Sequence, residues 1–115
     1  MKLLYIASPY RAKEPWRVEV NIQAALTLAR EVVKITDKWF PVVPQANTAH
    51  FDGMRSDQYF LDGTLEMLRK CDAVLMGPWW QDSDGCCAEY VEAERLGLPI
   101  FESLGEFRNH VQAQG

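Results

Sequence analysis

The chain has 115 residues, of which 48% are hydrophobic and 24% charged, and a net charge of −4. This suffices for one hydrophobic core without disulfide or metal staples, so a single domain over residues 1–115 is expected. The acidic balance speaks against a surface that coats a nucleic-acid polymer, and no run approaches the roughly 18 consecutive apolar residues of a membrane span.

Met1 leads directly into KLLYIASPY without the basic region and cleavage site of a signal peptide, and a soluble, cytoplasmic protein that takes a small ligand is expected. Lys2 to Ala7 is rich in Leu, Tyr and Ile and stops at Ser8 and Pro9, which reads as a buried strand meeting a loop. Pro15 offers a helix start. From Trp16 to Thr36, Ala25, Leu28, Val32 and Ile35 recur at steps of three and four, opposite Arg30, Glu31 and Lys34, so this stretch reads as an amphipathic helix. Trp39 to Val43 is a second strand ended by Pro44, and Gln45 to Arg55 reads as a polar loop.

Ser56 to Lys70 regains helical spacing through Leu61, Leu65 and Leu68, with Gly63 as a weak point or a break. Ala73 to Gly77 is a third strand. A helix from Gly85 to Leu96 ends at Gly97, placed as a C-cap. Pro99 to Glu102 is a fourth strand, and Leu104 to Gln114 a short amphipathic helix. Cys71, Cys86 and Cys87 form no CxxC pair and His50 and His110 lie far apart, so no metal site and no cofactor are read. Reduced thiols are expected, with Cys86 and Cys87 either small buried residues at a helix start or a redox-active pair.

Strands alternating with helices predict an α/β domain: an open parallel sheet of four or five strands with helices on both faces, flavodoxin- or Rossmann-like, in the order 2-1-3-4. In that order the ligand crevice opens at the carboxyl ends of the first and third strands. The loops ASPYRAKEP and GPWWQDSDG meet there.

Several residues of these loops have chemistry to offer. Ser83, Gly85 and Glu89 place a hydroxyl, a flexible backbone and a carboxylate at a helix entry, which suits an anion on the free N–H groups. A carboxylate in a first helical turn is stabilised as the anion and could attack an electrophilic carbon. The plainer alternative makes Ser83 or Asp84 an N-cap and Glu89 a solvated acid. Tyr5, near the end of the first strand, either reaches Glu89 or fills the core. Arg11, Lys13 and Arg17 either hold a phosphate or are solvated, and they oppose Asp82 and Asp84. Trp79 and Trp80 either stack on a nucleobase or bury in a subunit interface. Asp72 opens the third strand, roughly 16 Å from the crevice at about 3.3 Å per residue, and reads as structural.

Taken together, YIASPYR, CDAV and SDGCCAEYVEAERLGLPI resemble the nucleoside 2-deoxyribosyltransferase-like superfamily over nearly the whole chain. They lie near the 2'-deoxynucleoside 5'-phosphate N-hydrolases and short bacterial and phage relatives. The resemblance implies an enzyme in which Glu89 attacks the anomeric carbon of a nucleoside and Tyr5 orients it. It also implies that Ser83, Arg11 and Gly85, with Ser8 beside them, serve the phosphate or sugar. Gln45 and Asn47 are candidates for base recognition, with Trp79 as a stacking surface.

One position departs from the pattern: the aspartate that assists the leaving base falls on Thr64. Asp62, two residues away, could substitute only if Gly63 breaks the helix, because two helical residues turn a side chain by about 200°. The reaction expected is cleavage or exchange of the N-glycosidic bond of a nucleoside or nucleoside 5'-monophosphate, by a homodimer or larger assembly. The alternatives are a nucleotide-binding module that has lost the chemistry, and an oligomerisation unit whose tryptophans meet a partner.

Overall fold

Residues 1–114 are described by the computed structural model. The KLLYIA run forms β1 (Lys2–Ala7), and its alternation sorts the chemistry at once. Leu4 and Ile6 turn to one face of the sheet, while Tyr5 and Ala7 turn to the other. The remaining strands are β2 (Trp39–Val42), β3 (Ala73–Met76) and β4 (Ile100–Phe101), all parallel, in the order β2-β1-β3-β4. The expected order 2-1-3-4 is therefore present, with four strands.

The face bearing Leu4 and Ile6 is covered by α1 (Pro15–Ile35) and α5 (Leu104–Gln114), through Ala29, Val32 and Phe107. Trp39 and Phe107 meet there edge to face, with ring centroids 5.6 Å apart. The opposite face carries α3 (Asp57–Arg69) and α4 (Asp84–Leu96), through Leu68, Cys86 and Ala93. Arg69 ties these two helices together with a 2.8 Å ion pair to Glu92. Every residue of β3 is buried, which is why AVLM reads as an unbroken apolar run. Asp72 accepts a hydrogen bond from the Leu3 N–H at 2.7 Å and donates its own N–H to the Leu3 carbonyl at 2.9 Å, so it serves the ladder at the foot of the sheet.

Local signals place the helix ends. Pro15 opens α1, Ser56 caps α3 by accepting from the Tyr59 N–H, and Ser83 caps α4 by accepting from the Cys86 N–H. Gly97 ends α4 with a left-handed φ of 71°, as a C-cap glycine does.

The structure refines the sequence reading at several points, and β2 and β3 each end one residue earlier than read. Pro44 does not open a loop: it starts a single helical turn, α2 (Pro44–Asn47), for which its fixed φ is suited. Of the two readings of Gly63, the weak point holds: α3 runs through it, at a propensity cost of about 1 kcal/mol. Pro99 and Glu102 lie outside β4, which is two residues long.

Candidate active site

At the carboxyl ends of β1 and β3, a cavity of about 880 Å³ opens between the loop after β1, α2, the start of α3 and the start of α4. Glu89 forms part of its floor and is 6% exposed. The phenol of fully buried Tyr5 donates a hydrogen bond to Glu89 Oε2. Strand alternation aims Tyr5 at the α3 and α4 face, and its register between Val42 and Val74 holds the ring in the middle of the sheet.

The electrostatics of this pair run against the first-turn reading of Glu89. Counted from the Ser83 cap, Glu89 is the sixth residue of α4 and lies in its second turn, where the helix-terminus field has faded. Burial dominates instead: it pushes the carboxyl up to about 7, while the hydrogen bond from Tyr5 works in the other direction. Glu89 is thus not a solvated acid held fully ionised, but a buried one that titrates near neutrality. The Tyr5 phenol is held well above its usual value by burial first, then by the charge of Glu89 and the hydrogen bond to it.

Ser8, Gln45, Thr64, Ser83, Gly85 and Cys86 also line the cavity. Ser8 is buried, and Gly77 makes its position possible: a Cβ there would lie 2.8 Å from Ser8 Oγ and 3.0 Å from Ser8 Cβ. Gln45 is 6% exposed, and its Nε2 donates to the carbonyls of Ile6 at 3.2 Å and Ser8 at 2.6 Å, at the end of β1. Its Oε1 is the buried side-chain oxygen without a hydrogen-bond partner among the described residues. Gly85 sits in the first turn of α4 with only Ser83 Oγ, at 3.9 Å, near a would-be Cβ, so it leaves open space rather than supplying an unusual backbone. Cys86 is buried and its thiol is pushed up to about 12, which makes it an inert packing residue.

At the rim, Arg11 forms a 2.6 Å ion pair with Asp57, joining the loop after β1 to the first residue of α3. Tyr10 fastens the same loop by donating to Asp52 Oδ1 at 2.7 Å and accepting from the His50 N–H at 3.0 Å. Trp79 stands 75% exposed on the rim with a left-handed φ of 66°, a conformation uncommon for a large side chain.

Not every nominated residue comes to the cavity. Asp62 points away from it: α3 is continuous, and the exposed carboxylate accepts from Gln58 Nε2 at 2.8 Å, one turn back on its own helix. The condition under which it would replace an acid at position 64 is not met. Thr64 does line the cavity, but its hydroxyl donates to the Leu61 carbonyl at 3.0 Å. Trp80 stacks on Tyr90, with centroids 4.7 Å apart and planes 3° from parallel, so its face is occupied within the chain. Asn47 and Lys13 are exposed and outside the cavity lining. Tyr10, Asn21, Asp52, Asp57 and Phe60 line it and were not anticipated; the signal for Tyr10 was its place in the first loop.

A family model described as Domain of unknown function (DUF4406) matches residues 42–102, a span that includes Gln45, Thr64 and Glu89. No curated protein matches the chain. Among solved structures, a 2-deoxyribosyltransferase from the psychrotolerant bacterium Bacillus psychrosaccharolyticus is similar at 18% identity and a TM-score of 0.57, over 85% of this chain and 69% of that one. A 2-desoxiribosyltransferase from Leishmania mexicana is similar at 21% identity and a TM-score of 0.57, over 87% of this chain and 62% of that one. At these identities the likeness is one of fold, and the resemblance read from the sequence motifs agrees with it.

Proposed function

The chain belongs to the DUF4406 family, and from that premise and the geometry above we propose that it is an enzyme that cleaves or exchanges the N-glycosidic bond of a nucleoside or nucleoside 5'-monophosphate, through a glycosyl ester on Glu89. The observation that carries this reading is the buried Glu89 carboxyl, held by the Tyr5 phenol at the floor of a cavity with ample room for a nucleoside. The fold shared with proteins described as 2-deoxyribosyltransferases supports it.

In this reading the ionised Glu89 attacks C1', the bond to the base breaks, and water or a second base resolves the ester. A carboxylate nucleophile of this kind stabilises an oxocarbenium-like transition state, as in retaining glycosidases. Tyr5 holds the carboxylate in one rotamer. Trp79 offers the base a stacking face, and Gln45, Ser8 and Ser83 offer polar contacts to base and sugar. No cofactor enters the scheme. A homodimer or larger assembly in the cytoplasm fits it.

The test is incubation with ribo- and deoxyribonucleosides and their monophosphates, with and without an acceptor base, followed by chromatography for free base. Release by the wild type and loss of at least about 10³-fold in Glu89→Ala is expected, because the covalent route is removed. Release at the wild-type rate by that variant would refute the assignment. One observation favours a binding module instead: Glu89 apart, the carboxylates of the cavity are exposed and none sits on the floor to serve as an acid. Calorimetric binding of a nucleoside without base release over hours would establish that reading.

A further inference from the structure

The charges of the cavity point to a narrower substrate class. Asp52, Asp57, Asp82, Asp84 and Glu89 line it, against Arg11 and Arg17. Arg11 is already paired with Asp57. Each helix amino terminus that opens onto the cavity already meets an N–H with its own cap, Tyr59 with Ser56 and Cys86 with Ser83, and carries an aspartate in its first turn, Asp57 in α3 and Asp84 in α4. An anionic phosphate would therefore meet net negative charge, with an aspartate at each helix end. A positive charge would be drawn in.

The leaving group is constrained by the same residues. A neutral base departs as an anion unless an acid protonates it. On the floor, Tyr5 donates to Glu89 and Thr64 donates to the Leu61 carbonyl, and the other cavity carboxylates are exposed at the rim. An independent feature asks for a donor on the ligand. Gln45 Nε2 is fixed by two carbonyls of the β1 end, and Oε1 is left buried without a partner. A buried acceptor of this kind is costly unless something with an N–H or O–H arrives to meet it.

We infer that the site, if it acts as proposed above, prefers a cationic N-glycoside: a nucleoside whose base carries a positive charge conjugated to the glycosidic nitrogen, such as an N-ribosylpyridinium or an N7-alkylpurine nucleoside, with an amide or amino N–H for Gln45. This rests on the N-glycosidic reading and selects within it. A Glu89 oxygen bonds to C1', and the C1'–N bond breaks with its electron pair passing to the base nitrogen. That pair cancels the positive charge, so the base leaves neutral and no proton is transferred. Water then adds to C1', its proton passes to solvent, and the Glu89 carboxylate is restored.

The experiment uses the full chain with nicotinamide riboside, N7-methylguanosine, guanosine and guanosine 5'-monophosphate, with base release followed at several salt concentrations. Each kcat/KM is divided by the compound's own uncatalysed rate, because cationic nucleosides are intrinsically more labile. The cationic compounds are expected to lead by about 10-fold or more on this normalised scale, with a KM that rises with salt. Asp82→Asn is expected to lower the ratio of cationic to monophosphate kcat/KM by about threefold. Equal or better normalised turnover of guanosine or its monophosphate would overturn the cation preference while leaving the N-glycosidic reading in place. Absence of base release from all four compounds, when the deoxyribonucleosides of the panel above are turned over, would overturn the cation preference alone; absence of release from both panels, with and without an acceptor base, would overturn both.

Discussion

Tyr5 and Glu89 lie 84 residues apart in the chain and share one buried hydrogen bond, in which the phenol donates to Glu89 Oε2. A strand side chain and a helix side chain thus meet beneath the cavity, and the ionisation of one depends on the other.

Removing that donor has a predictable sign. The hydrogen bond from Tyr5 lowers the Glu89 pKa, which burial has raised to about 7, so Tyr5→Phe leaves the carboxyl titrating higher still. The ionised form is the nucleophile, so activity rises with pH through about 7 in the wild type, and the variant's acidic limb shifts to higher pH. A hydrogen bond to a charged group is worth about 1.5–3 kcal/mol, so the loss near pH 6 is expected to be about 10-fold or more. Measured pH–rate profiles that coincide for the two proteins would contradict this.

The same burial has a consequence for stability. Glu89 holds its proton more tightly folded than unfolded, so its contribution is fully present below about pH 4.5 and is lost as pH rises to about 7. The difference is on the order of 3 kcal/mol. Glu89→Gln keeps an acceptor for Tyr5 without the charge and is expected to be inactive yet more stable than the wild type above pH 7. Denaturant titrations at pH 5 and pH 8 check this, and a variant less stable at pH 8 would count against it.

Thr64 faces the cavity where no acid is available. Thr64→Asp is expected to raise turnover of neutral nucleosides by about 10²-fold, the lower range of general acid assistance, with little gain on cationic ones. An equal gain on both classes would show that the new carboxyl acts otherwise.

Gly77 lets the end of β3 pass close to Ser8. Gly77→Ala places a methyl 2.8 Å from Ser8 Oγ and 3.3 Å from Ser8 Cα, so the loop after β1 must move. A loss of about 1–3 kcal/mol of stability is expected from such overpacking, with a raised KM. Thermal unfolding and steady-state kinetics report the two effects. Gly85→Ala, whose Cβ meets nothing closer than 3.9 Å, is the control for a glycine that is not a close approach.

Much of the architecture was legible because its signals are local. Strand runs, Ser83 as an N-cap, Gly97 as a C-cap and the alternation of strand and helix follow from short-range periodicity and backbone preference. Gly63 weakens α3 without breaking it, and the turn Pro44–Asn47 was read as loop, because propensity is a weak prior. The packing of α3 through Leu68 carries the glycine, and a proline that ends a strand equally well begins a helical turn. The nominated residues divide on direction. Glu89, Tyr5, Ser8 and Gln45 converge, whereas Asp62 and Trp80, each adjacent or nearly so to a cavity residue, turn elsewhere.

By itself the sequence determined the strands, the helices between them and the two loops that follow the first and third strands, since hydrophobic period, caps and turn residues act over a few positions. Only the tertiary structure decided the state of Glu89, the pairing of Arg11 with Asp57 and the unpartnered Gln45 oxygen. Desolvation and charge pairing depend on which distant residues come within a few ångströms, and no spacing along the chain encodes that distance.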